Sequence, residues 1–124
     1  MLTHYRKENQ KIAMGLLSFR KNLKERDALK KEIESYETND QFELFFFTPE
    51  GSANIQGIVG FEWVGKKELL IHDLALNPSY RGEKMGFQIL DELHQKYSDV
   101  EFKETEEIAP YLSKWKEQEN RKSD

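Results

Sequence analysis

A chain of 124 residues, 37% hydrophobic and 12% aromatic, suits one compact domain and leaves no room for a second core of useful size. A net charge of −4 with both signs interspersed argues against a nucleic-acid-binding face, which needs a clustered positive field. Cysteine is absent, which removes disulfides, thiolate chemistry and cysteine-zinc clusters; no apolar run approaches the ~20 residues that span a bilayer, and Met1 to Lys7 lacks a signal core, so the expectation is a cytoplasmic protein without membrane or nucleic-acid partners.

Residues 1–6 can form a short strand, and Ile12, Ala13, Leu16, Leu17 and Phe19 follow helical spacing. Asn22 with Glu25 reads as an N-cap and its reciprocal acid, ahead of a helix whose stripe is Leu29, Ile33 and Tyr36. The period changes after Asp40. Residues 42–48 form an aromatic strand buried in part on both faces. Pro49 to Ser52 turns the chain into a second strand over Ile55 to Val64, where Gly57 and Gly60 mark close approaches to the backbone. Gly65 to Lys67 turns it again into a third strand, Glu68 to Leu76, completing an antiparallel meander.

Asn77 to Gly82 stops that strand, and a helix follows from Lys84 to Tyr97 along Gly86, Ile89, Leu90, Leu93 and Tyr97. Val100 to Lys103 is a strand that the crossover rule makes parallel to the third one. A last helix starts at Pro110 with Tyr111, Leu112 and Trp115 inward, and residues 117–124 are expected to fray. The whole, residues 1–124, is one α+β (α/β) domain.

The strand–turn–helix at 71–87 carries the chemistry. A helix N-terminus has unpaired amides and partial positive charge, glycines admit an anion to that backbone, and Arg81 and Lys84 add cations. A diphosphate cradle and a purely structural turn with a packing glycine are both compatible with this spacing. Three scattered histidines give no metal-ligand spacing, so no metal is expected.

The arrangement of Leu74, Leu76, Pro78, Arg81, Gly82 and Gly86 after an antiparallel meander resembles the acetyl-CoA motif of the GNAT superfamily of N-acyltransferases, with Lys84 where that motif has its first glycine. Lys11 to Phe19, Tyr36-Glu37-Thr38 and Asn77-Pro78-Ser79 are similar to the small members of that superfamily found in bacterial riboflavin operons. The resemblance implies the GNAT fold, a central mixed, mostly antiparallel sheet flanked by helices, in a monomer or homodimer. It implies acetyl-CoA as cosubstrate and an amine acceptor of unknown identity. Leu74, Ala75 and Leu76 would bond the pantetheine arm, amides of Arg81, Gly82, Glu83, Lys84, Met85 and Gly86 the diphosphate, and Thr105 would stand where an asparagine usually contacts the cofactor.

Candidates for the chemistry are His72 and Asp73 as base, with Glu62 on the preceding strand, and Tyr111 as proton donor. Each has a structural alternative as an ordinary strand or core residue. Leu112 at the position where the superfamily often has tyrosine favours a second function, a CoA-binding regulatory or interaction module without turnover. A third possibility is that the turn holds another phosphate ligand, such as a nucleotide or flavin.

Overall fold

The computed structural model describes residues 1–19, 25–80 and 83–122, the last three residues of α4 and the first three of α3 by their backbone alone. Strand β1 (Leu2–His4) leads through a 3-10 turn, Lys7–Asn9, into α1 (Gln10–Leu17). Then come α2 (Arg26–Thr38), β2 (Phe42–Phe47), β3 (Gly57–Gly65) and β4 (Glu68–Leu76). A 3-10 turn at Pro78–Tyr80 precedes α3 (Glu83–Lys96), and β5 (Glu101–Glu104) and α4 (Ala109–Lys122) complete the chain.

The five strands form one sheet in the order β1-β2-β3-β4-β5. The first four are antiparallel neighbours, and β5 lies parallel to β4, as the strand–helix–strand succession demands. The period change at Asp40 fixes the layering. Strand β2 is apolar on both faces: Phe45 and Phe47 enter a core under α3 and α4, while Leu44 and Phe46 enter a second core under α1 and α2. Each buried phenylalanine removes enough apolar surface to contribute about 1.5–3 kcal/mol, so this one strand anchors both layers.

Several boundaries differ from expectation, most by one to three residues, and those of α2 and α4 have a visible cause. Helix α2 starts at Arg26 with Glu25 as its extended N-cap and no side-chain capping bond; Asn22, expected to cap it, lies outside the described residues. Helix α4 starts one residue early, at Ala109, whose amide bonds Thr105 O at 2.9 Å, and it runs to Lys122 where fraying was expected from 117. Buried Trp115 pins its middle, and the Lys, Glu and Gln beyond are good helix formers that carry it onward.

Strand β4 carries the irregularity that matters most. Gly60 on β3 pairs with Asp73, but Phe61 pairs with Ile71, so His72 is an extra residue, a β-bulge. Leu69 and Ile71 face the α3–α4 core, and so do Leu74 and Leu76 beyond the bulge. His72 stacks on Phe42 and Asp73 bonds Tyr36, both residues of the α1–α2 core, so two successive side chains share one face.

Candidate functional site

Strands β4 and β5 separate where the bulge begins. Their pairing covers Glu68 to Ile71 against Glu101 to Glu104, and β4 continues for five residues without a neighbour on that side among the described residues. Leu74, Ala75 and Leu76, the expected contacts of an extended arm, line this split. At its edge Thr105 follows β5, and its Oγ1 is buried with no hydrogen-bond partner among the described residues. A buried hydroxyl without a partner is costly, so this atom marks a place for an outside donor or acceptor.

Above the split, α3 begins at Glu83, and its first turn, Glu83 to Gly86, presents amides that have no acceptor inside the helix. Lys84 sits in helical backbone, and no non-glycine residue among the described ones has positive φ. Lysine in place of the motif's glycine therefore carries no backbone strain. Arg81 and Gly82 lie outside the described residues, and of Glu83, Lys84 and Met85 the helix places only the backbone.

Gly86 is where α3 meets α4. A Cβ there would collide with the Tyr111 hydroxyl, and with its Cζ at 2.7 Å, while the Tyr111 ring lies 5.1 Å from Phe87. The structure thus brings two expected site residues, Gly86 and Tyr111, into contact. Leu112 is fully buried in the core, so Tyr111 and not its neighbour reaches toward α3.

The other candidates meet on the opposite, α1–α2 face. His72 Nε2 lies 2.9 Å from Glu62 Oε1, and both side chains remain partly exposed. The Phe42 ring stacks on the imidazole with centroids 5.3 Å apart and planes 11° from parallel. Tyr36 meets Phe42 edge-on at 5.6 Å and donates its hydroxyl to Asp73 Oδ2. Asp73 is 0% exposed, the single buried charged residue of the described chain. On the same face Lys103 Nζ pairs with Glu68 Oε2 at 2.9 Å, and the Glu68 hydrogen bond holds the ammonium above its usual pKa.

Sequence reasoning placed His72, Asp73 and Glu62 on neighbouring strands but missed Phe42 and Tyr36 as their partners. Gly60 was the available signal: its expected close approach is the Tyr36 hydroxyl, which occupies the space of a Cβ. Gly57 is crowded likewise, by Ile89 and Leu76 side chains at 2.9 Å. Among the described residues no group of three or more His, Cys, Asp or Glu converges as a metal site, and no helix is long and apolar enough to cross a membrane. A wide groove of about 1020 Å³ lies elsewhere, between α3 and the β1–β2 rim, lined by Met1, Thr48, Glu50, Asp91 and Glu92. Its open mouth and opposed charges fit a solvated surface better than the chemistry at the split.

No family model matches the chain. A curated relative, an uncharacterized N-acetyltransferase in the lysA 3′ region of Bacillus methanolicus, is 36% identical over 114 residues, covering 92% of this chain and 93% of the relative. An aminoglycoside 6′-N-acetyltransferase solved in complex with coenzyme A superposes with a TM-score of 0.61 at 16% identity, over 79% of this chain and 55% of that one. Aminoglycoside N-acetyltransferase AAC(6′)-Iy in complex with CoA gives a TM-score of 0.65 at 13% identity, over 91% of this chain and 82% of that one. The chain thus spans little more than half of the first structure, and at these identities the two solved proteins share its fold.

Proposed function

The chain belongs to the GNAT-type N-acetyltransferases, and from that membership we propose that it transfers the acetyl group of acetyl-CoA to an amine approaching on the α1–α2 face of the sheet. The observation that carries this reading is the split between β4 and β5, bordered by the buried Thr105 hydroxyl, unpartnered among the described residues, and by the first turn of α3, whose amides have no acceptor inside the helix. Those features fit an extended, anionic cosubstrate. Leu74, Ala75 and Leu76 would bond the arm through their backbone, Thr105 Oγ1 would add a contact, and the amides from Arg81 to Gly86 would hold the diphosphate. Bound there, acetyl-CoA supplies an activated acyl thioester.

The protein's own groups divide the remaining work. An amide of the backbone near Leu74, beside the bulge, would polarise the thioester carbonyl. His72 is the accessible base for the amine, whereas Asp73, enclosed and bonded by Tyr36, positions the bulge that carries it. Tyr111 is the candidate proton donor to the departing thiolate from the α4 side. The enclosing layers of α1 and α2 keep water from most of this face.

The kinship to RibT of bacterial riboflavin operons, based on Lys11 to Phe19 and the two shorter stretches, is likewise our reading, as are a cytoplasmic location and a monomeric or homodimeric state. A gene for this chain lying outside any riboflavin operon would remove the first of these. Titration calorimetry with CoA tests the main proposal: a dissociation constant between about 1 µM and 1 mM is expected, within the usual range for enzyme substrates. No heat at millimolar CoA overturns it. Thiol release from acetyl-CoA across an amine panel then separates an enzyme from a CoA-binding module without turnover.

A further inference from the structure

Glu62 has no role in the proposal so far, yet it is the closest polar neighbour of the accessible base. Its carboxylate has only acceptor atoms, so at 2.9 Å from His72 Nε2 it selects the tautomer that carries hydrogen on that nitrogen. The neutral imidazole then has its lone pair on Nδ1, for which no partner appears among the described residues. Phe42, stacked face-on, prevents the ring from rotating to exchange its two nitrogens.

We propose that Glu62 is a positioning residue that fixes His72 in the Nε2–H form, leaving Nδ1 as the atom that takes the proton from the acceptor amine. The inference rests on the acetyl-transfer reading above, which makes this face the acceptor side. In the step, an N–H proton of the acceptor's ammonium group passes to the Nδ1 lone pair, the freed electron pair becomes the nucleophilic lone pair of the neutral amine, and the resulting imidazolium is paired with Glu62 until it loses the proton to solvent. The geometry resembles other carboxylate–histidine pairs in which the acid orients the ring and stabilises its cation. Among the described residues, the other charged and titratable groups on this face of the sheet include Asp73 and Tyr36, bonded to each other, and the Glu68–Lys103 ion pair. With those groups already partnered among themselves, Glu62 is left as the one that sets the ring.

Two measurements on the intact protein decide the matter. Long-range proton–nitrogen NMR spectra of protein labelled with 15N-histidine report the tautomer of each ring, and His72→Gln assigns the signal among His4, His72 and His94. The expected result is His72 as the Nε2–H form in the wild type and a mixture of tautomers in Glu62→Ala, with an unchanged melting temperature guarding against misfolding. A wild-type Nδ1–H form, or a tautomer indifferent to Glu62→Ala, overturns the inference. With any amine that gives thiol release, His72→Gln should lose about 100-fold or more in kcat. Glu62→Gln should lose about tenfold in kcat, with the CoA dissociation constant unchanged in both. Failure of CoA to bind wild-type protein would sink the acetyl-transfer reading itself, while the tautomer still reports on Glu62.

Discussion

Gly60→Ala puts the packing around Asp73 under a measurable load. An alanine Cβ at this position would overlap the Tyr36 hydroxyl and Cζ and come within 2.8 Å of its Cε1, all parts of a ring that is 8% exposed and hemmed in by the α1–α2 core. Relief requires the ring to withdraw, and withdrawal breaks its bond to the buried carboxylate. Overpacking a dense core costs about 1–3 kcal/mol. Depriving a buried polar group of its partner costs about another 1–3 kcal/mol, more when it is charged. The variant should therefore lose about 2–6 kcal/mol, a large part of the roughly 5–15 kcal/mol that holds such a domain together. At this chain length each kcal/mol shifts the melting temperature by about 3–5 °C, giving a fall of about 6–30 °C. Urea unfolding of Gly60→Ala, Tyr36→Leu and the double variant measures the coupling directly: the alanine should cost much less once the ring is gone. A loss below about 1 kcal/mol in the single variant, or full additivity in the double, would refute the account of Gly60 as the space that seats Tyr36.

Gly15→Ala offers the opposite sign, since nothing lies within 4 Å of the added methyl in the interior of α1, and urea unfolding should show a gain of about 0.5–1 kcal/mol. Thr105→Val removes a buried hydroxyl that has no partner among the described residues, so the free protein should melt no lower while calorimetry shows CoA binding weakened several-fold. Burial first, and then the Glu43 carboxylate, push the Tyr97 phenol up to about 12. A raised pKa means that the folded state disfavours the phenolate, so stability from this group is full below the free value of about 10 and declines as pH rises toward 12. Absorbance titration of phenolate should show this late component, and Tyr97→Phe should abolish it. Lys116 Nζ bonds Phe102 O at 2.9 Å and blocks the outer edge of β5, so Lys116→Met should raise self-association in size-exclusion chromatography at high concentration.

Much of the fold was legible because its periods are clean. The limits of β4 follow from turn residues at both ends, the stripe of α2 from 3.6-residue spacing, and the parallel pairing of β5 from handedness alone. The turn at Pro78–Tyr80 after β4 and the helix beyond it were readable from the same local signals, with α3 starting at Glu83. What escaped was non-local. The pairing of Glu62 with His72 depends on register between strands, and that of Tyr36 with Asp73 on how a helix crosses the sheet; neither has a signature along the chain. The start of α2 was misjudged because Asn22 and Glu25 satisfied a capping pattern, whereas the helix begins on Arg26 after an extended Glu25.

The extra residue at His72 has a consequence for how this molecule can change. A pleated ribbon deals its side chains left and right in turn, so neighbours normally serve different layers. Doubling the deal once lets a wet imidazole and a dry carboxylate stand side by side while every apolar residue beyond them still lands in the correct layer. Removing one position there would swap the destinations of Leu74, Ala75 and Leu76 together, and with them both interiors. The number of letters at this spot is accordingly locked by packing far from it, over and above what the letters themselves do.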